Sequence, residues 1–159
     1  MPIKQILAGS DDAEHQETLE QTGYWGKRAG GVLMVCVITK RILLAQRSAH
    51  VEQPLTWGTI GGAIDEGEKI PDAVTRELRE ETKYRGRFKL LPAYVFKDKG
   101  FEYHNFIGLC AEEFEAKPDW ETHCFDWFHL HELPKPLHFG LVSLLKDGAT
   151  KLTLDRILK

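Results

Sequence analysis

The stretch Gly61–Tyr84, GGAIDEGEKIPDAVTRELREETKY, governs how the rest of the chain is read. Two glycines lead into an acidic loop, Pro71 opens a helix, and three glutamates crowd that helix's end. Proline suits the first helical turn, where its missing N–H leaves no bond unmade. From Pro71 to Lys83 the residues are mostly good helix formers, with no further glycine or proline. The sequence therefore predicts a helix over this span.

Laid out at about 100° per residue from Ile70, the helix has Val74 near 40°, Leu78 near 80°, Ala73 near 300° and Tyr84 near 320°. These form an apolar stripe that faces a core. Asp72, Thr75, Arg79, Thr82 and Lys83 fall on the opposite, solvated side. Glu77 and Glu81 land in the middle of the stripe, at about 340° and 20°, and Glu80 at its edge. Solvent pairs such as Arg76–Glu80 or Glu80–Lys83 account for Glu80. They do not account for two inward carboxylates one turn apart, which repel each other and lose hydration. Arg76 serves one of them at most, whereas a hard divalent cation with oxygen ligands satisfies both.

The spacing Gly62-x5-Glu68-x7-Arg76-Glu77-Leu78-Arg79-Glu80-Glu81-Thr82-Lys83-Tyr84 resembles the Nudix box, G-x5-E-x7-R-E-U-x-E-E-x-G-U, where U is aliphatic or aromatic. Every fixed position matches except the last glycine, which is Lys83, at the point where the helix gives way to its loop. The resemblance implies an α/β (α+β) Nudix fold, a mixed β-sheet sandwiched between helices with the box as loop–helix–loop. It also implies hydrolysis of a diphosphate linkage in a nucleoside diphosphate derivative. Glu77, Glu80 and Glu81 would then hold Mg²⁺ or Mn²⁺, with Gly61 close to the metal. Arg76 would orient Glu77, and Glu68 would brace the loop or an outer-shell water.

The chain has 159 residues, 42% hydrophobic and 28% charged, which is ordinary globular composition for one domain spanning 1–159. A net charge of −3 favours neither a nucleic-acid surface nor a membrane face, so an anionic substrate needs a local site. Three cysteines without metal-ligand spacing read as buried thiols in a reducing compartment. The first residues lack the long apolar core of a signal peptide, and no run is long enough to span a bilayer. The expectation is a cytoplasmic protein.

Residues 1–27 are polar and weakly patterned, and read as an arm or short helix; Tyr24 and Trp25 close them as candidates for core cover, the favoured reading, or for stacking on a nucleobase. Gly31–Thr39 reads as a strand buried on both faces, Arg41–Arg47 as the next, and Trp57–Ile60 as a short strand feeding the glycines. Phe88–Lys97 and Phe101–Leu109 form a hairpin about Asp98-Lys99-Gly100. Phe125–Leu130 is a further strand, and Leu137–Lys146 a closing amphipathic helix ended by Gly148, with the tail adding another turn or packing on a partner. Arg47 resembles the arginine that Nudix proteins place near substrate phosphates; a solvated strand end is the plainer reading. Tyr94, Phe101, Tyr103 and His104 are candidates for a base or sugar pocket, or plain sheet surface. The seven histidines show no zinc spacing.

Glu121, upstream of Trp127, is similar to the family's loop glutamate that reaches the metals, either as a ligand or as the base that deprotonates water. Glu112 and Glu113 are the fallback candidates. The substrate class stays open among nucleoside triphosphates, nucleotide sugars, ADP-ribose and dinucleoside polyphosphates, with the first two favoured. A nucleotide sensor that has lost turnover is the rival reading. A second rival, an isopentenyl-diphosphate-type isomerase of the same fold, needs an active-site cysteine that no motif here places. Many members of the resembled family pair, which makes a homodimer a candidate that nothing in the sequence itself demonstrates.

Overall fold

A computed structural model describes residues 27–159. Its centre is β1 (Arg28–Cys36), whose side chains are buried on both faces from Ala29 onward. Along its whole length β1 pairs in parallel with β6 (Phe101–Cys110). Its other edge is shared: β4 (Ile60–Ala63) pairs antiparallel with Ala29–Val32, and β2 (Arg41–Arg47) with Met34–Cys36. β3 (Trp57–Gly58) and β7 (Thr122–His129) flank β2, while β5 (Lys89–Asp98) is hairpinned to β6. The result is a seven-stranded mixed sheet.

Because side chains alternate along a strand, β1 feeds two cores. Val32, Met34 and Cys36 pack against Val74 and Leu78 of α1 (Ile70–Thr82). Leu33 and Val35 pack on the opposite face against Leu141 and Leu144 of α2 (Phe139–Lys146) and Leu154 of α3 (Gly148–Leu158). Each fully buried valine or leucine contributes about 1.5–3 kcal/mol relative to exposure. Helices thus cover both sheet faces, as the box resemblance implied. Among the described residues no helix is long and apolar enough to cross a membrane.

Several boundaries differ from the sequence reading. The glycines Gly61 and Gly62 lie within β4 rather than after a strand ending at Ile60. Thr82, assigned to the solvated side of α1, is fully buried; its hydroxyl donates to Leu78 O at 2.6 Å, which lets a polar side chain enter the core. Gly148 does not end α2. Asp147 closes that helix and caps the next one, accepting from Thr150 N at 3.1 Å, so the tail forms a full α3. The reading of residues 1–26 as an arm, with Tyr24 and Trp25, lies outside the described residues.

Candidate active site

The local chain of cause begins at two glycine pairs. Gly30 and Gly31 of β1 stand opposite Gly62 and Gly61 of β4. A Cβ on Gly62 would lie 2.5 Å from the Glu77 carboxylate, and one on Gly31 only 2.0 Å from the Tyr103 hydroxyl. The absent side chains are what let a carboxylate and a phenol lie directly against the strands.

Glu77 is accordingly buried, at 8% exposure, on the inward face of α1. Its neighbour Arg76 organises the surrounding charges. The guanidinium donates to both oxygens of Glu68, at 2.8 and 2.9 Å, to Glu77 Oε1 at 3.1 Å and to Glu80 Oε2 at 3.3 Å. Asp65 Oδ2 lies 3.6 Å away. The hydrogen bond to Glu68, followed by the charges of Glu77, Glu68 and Glu80, pushes the Arg76 pKa further up, against the opposing effect of burial. In return the Arg76 bond holds the Glu68 carboxyl below the ordinary carboxylate range. Glu68 also accepts from Asp65 N at 3.1 Å, which ties the acidic loop into a turn.

Lys83 takes the place of the box glycine without disturbing this arrangement. It adopts the left-handed conformation, φ 65°, that glycine favours at a helix end, and its N–H donates to Arg79 O. Its ammonium reaches Glu80 O at 2.8 Å. The helix ends where a glycine would end it.

Beside Gly62, against which Glu77 packs, lies a cavity of about 560 Å³ walled by the Ala45–Arg47 end of β2, by β3 and β4 and by β6. Its wall includes Gly61 and Gly62, Glu81 of α1, Arg47 of β2, and Phe101, Tyr103 and Asn105 at alternate positions of β6. Glu121 enters from the loop between β6 and β7. That loop is tied down along its length: Arg41 clasps Glu113, Phe114 stacks on Tyr84 at 3.8 Å, and Lys117 N donates to Thr82 O at 3.2 Å. At its far end Ser48 N donates to Glu121 O and Glu121 N to Asp119 Oδ1, both at 2.9 Å.

Arg47 donates to Glu52 O at 2.6 Å, which holds the guanidinium at the cavity wall. The Tyr103 hydroxyl lies 3.4 Å from Thr59 Oγ1, and burial pushes its pKa up to about 12. The phenol therefore keeps its proton at any ordinary working pH.

Among the described residues, no three carboxylate, imidazole or thiolate groups converge into a ready-made cation site. The charge balance nevertheless suits a cation. One guanidinium contacts four carboxylates, Asp65, Glu68, Glu77 and Glu80, leaving an excess of negative charge on hard oxygen donors. Such donors match Mg²⁺ or Mn²⁺ rather than a softer metal.

Residues 27–147 match the family model described as NUDIX domain. The chain belongs to the Nudix family. Among curated relatives, a dihydroneopterin triphosphate diphosphatase of Escherichia coli K12 is 39% identical over 57 residues, 35% of this chain and 36% of that one. The chain thus spans about a third of that relative's length, and 21% of the length of a Caenorhabditis elegans protein named for the same family. A solved MutT NUDIX hydrolase from Burkholderia pseudomallei is 27% identical, covering 80% of this chain and 96% of that one, with a TM-score of 0.56. A Nitrosomonas europaea NUDIX hydrolase shares the fold at a TM-score of 0.64 and 18% identity, covering 75% and 67%.

The Nudix box places Arg76 in direct contact with Glu68, Glu77 and Glu80, and Glu81 shares the cavity with Glu121, Arg47, Tyr103 and Gly61. Of the remaining pocket candidates, Phe101 also faces the cavity, whereas Tyr94 and His104 are not in its wall; His104 pairs with Glu102 at 3.0 Å. Glu113 is taken by Arg41 and Thr39 and does not reach the cavity. Sequence reasoning passed over Asn105, Trp120 and His138, all in the wall. Only the i, i+2 spacing from Tyr103 marks Asn105 in the sequence. Nothing local marks His138.

Proposed function

We propose that this Nudix protein hydrolyses a diphosphate linkage in a nucleoside diphosphate derivative, with nucleoside triphosphates and nucleotide sugars as the favoured classes. The observation that carries the reading is that Glu77, held by Arg76, packs against Gly62 in the wall of a cavity that also holds Glu81, Glu121 and Arg47. A relative named for a triphosphate, and an Ap4A hydrolase from Caenorhabditis elegans with the same fold at a TM-score of 0.56, agree with a phosphate-bearing substrate.

Glu77, Glu80 and Glu81 are the residues that would hold Mg²⁺ or Mn²⁺, joined by Glu121 and by the backbone at Gly61. When bound, such an ion supplies positive charge to the diphosphate and acidifies water. The protein's own groups do the rest. Arg76 fixes Glu77 and Glu80 in place, and Glu68 fixes Arg76 in turn. Arg47 presents a guanidinium to the phosphates, which match its planar donors. Tyr103 keeps a hydroxyl proton available to a phosphate oxygen. Glu121 or a box glutamate accepts the proton of the attacking water. The water oxygen bonds to phosphorus, the bridging P–O bond breaks, and the leaving phosphate departs with its electron pair.

The alternative is a catalytically silent nucleotide sensor. Its motivation is Lys83, and that residue retains the cap geometry a glycine would give. An isomerase would need a cysteine at the site; among the described residues none lies in the cavity wall. The deciding test follows phosphate and nucleotide release from a panel of nucleoside triphosphates, nucleotide sugars, ADP-ribose and dinucleoside polyphosphates, with and without Mg²⁺ or Mn²⁺. Metal-dependent cleavage of one class is expected. Silence across the panel, with tight nucleotide binding, would establish the sensor instead.

A further inference from the structure

Among the described residues His138 is the one histidine in the cavity wall, and its backbone and ring are both committed. Its N–H donates to Trp57 O at 2.7 Å, and a Cβ on Gly58 would stand only 3.1 Å from the His138 Cβ, so the residue is seated closely against β3. As the N-cap of α2, its Nδ1 accepts from Gly140 N at 3.0 Å. A nitrogen that accepts carries no proton, so the ring proton belongs on Nε2. Burial, with a smaller contribution from the Arg47 charge, lowers the His138 pKa to about 4, so no second proton joins it near neutral pH. The helix cap thereby fixes the tautomer.

The surroundings are planar and apolar. His138 stacks on Phe139 with centroids 4.6 Å apart, and Phe96 meets Phe139 edge-on at 6.0 Å. Phe139 remains 43% exposed, a large apolar ring left open beside the cavity. Trp120 stands in the same wall. Flat faces of this kind accept a heteroaromatic ring. One further polar side chain completes the wall. Asn105 is buried and gives one of its two Nδ2 hydrogens to Tyr94 O at 2.9 Å, which orients the amide and leaves Oδ1 and the second hydrogen for a ligand.

We infer that His138 is a specificity-determining residue whose Nε2–H selects a heterocycle bearing a ring carbonyl, with Asn105 accepting from the adjacent ring N–H. The inference rests on the reading of the cavity as the substrate site and names the class of base it takes. A lactam edge, C=O beside N–H, matches one donor and one acceptor. Seated the same way, an amino-substituted ring of the adenine kind turns its N–H₂ toward Nε2–H, so that His138, whose donor is fixed by the cap, is left unmatched while the Asn105 amide adapts. Oxopurines and oxopteridines share the lactam chemistry.

The test is calorimetric binding of α,β-methylene triphosphate analogues of guanosine, inosine and adenosine to wild-type protein and to His138→Asn. Asparagine is a good N-cap, so α2 keeps its first turn while the Nε2 donor is lost. Wild type is expected to bind the guanosine and inosine analogues at least about tenfold tighter than the adenosine one, the weight of one hydrogen bond. His138→Asn should lose about that factor on the oxo compounds and nothing on adenosine. Competition between GTP and dihydroneopterin triphosphate then names the ring system, the tighter binder being the better fit.

Equal affinity for oxo and amino rings overturns the inference, as does a preference that survives His138→Asn. So does failure of every analogue to bind at about millimolar concentration. Discrimination without turnover would leave the inference standing and overturn hydrolysis. Turnover without discrimination would do the opposite.

Discussion

Replacing Arg76 with glutamine removes the cation that, among the described residues, contacts Asp65, Glu68, Glu77 and Glu80 together. The expected cost follows from burial. Breaking a fully buried pair costs about 3–5 kcal/mol, because the surviving charge is stranded. An exposed pair contributes about 0–1 kcal/mol. Here the side chains of Glu77 and Glu68 are 10% and 19% exposed, Arg76 30% and Glu80 59%. The Glu80 contact therefore adds little, and solvent screens part of the other two. A loss of about 2–3 kcal/mol is predicted, between those limits. With m of about 1–3 kcal/mol/M in urea, the midpoint should fall by about 0.7–3 M at unchanged m.

A signature in pH accompanies this loss. Arg76 lowers the folded-state pKa of Glu68, so the bond stabilises fully above the ordinary carboxylate range. That contribution disappears as pH falls through the depressed folded value. Arg76→Gln should lack this part of the acid sensitivity, and adding Glu68→Gln should recover some stability by removing a stranded carboxylate. A midpoint shift worth less than about 0.5 kcal/mol would refute the reasoning, because it is what a fully screened surface pair gives.

Two other outcomes follow from local geometry. Lys83 holds a left-handed conformation that costs a side-chain-bearing residue about 1–2 kcal/mol, partly offset by its bond to Glu80 O, so Lys83→Gly should stabilise by about 0.5–1 kcal/mol. The thermal midpoint should rise by a few degrees; a fall would show that the lysine contact outweighs the backbone strain. For His138 the folded pKa of about 4 lies below its ordinary value of about 6.5, so between these values the unfolded chain binds more protons. Stability should therefore be full above about pH 6.5 and decline as pH falls toward 4, with Arg47 the charge that faces the ring. Urea titrations across that window should show a shallower decline for His138→Asn, and an identical slope would count against the buried, uncharged imidazole.

What the sequence disclosed was local. The period of Ile70, Val74 and Leu78 places Glu77 on the inward side of α1, where it is buried. The short apolar run in RILLAQR, bounded by arginines, marks β2 from Arg41 to Arg47. Lys99 and Gly100, both at positive φ, sit at the tight turn that their residues announce. The losses lie where structure depends on distant partners. The parallel match of β1 with β6, the sharing of one β1 edge by β2 and β4, and the facing glycine pairs all join segments far apart in the chain. None leaves a periodic trace. Gly148 reads as a helix stop, while the competing signal, Asp147 ahead of Thr150, marks the next helix start and prevails. His138 was passed over because histidine is not a usual N-cap, and its donor is defined only by the Gly140 contact and the cavity.

The central claim is that box carboxylates beside the cavity perform metal-dependent hydrolysis. Its most direct test is the initial rate of nucleotide release by Glu81→Gln against wild type, at saturating Mg²⁺ on the substrate the panel selects. Matched thermal midpoints would establish that both proteins are folded. The account predicts a loss of about a hundredfold or more, the scale of removing a group that acts directly on the reacting water or its charge. A Glu81→Gln protein within about twofold of wild type, far below that scale, would contradict it.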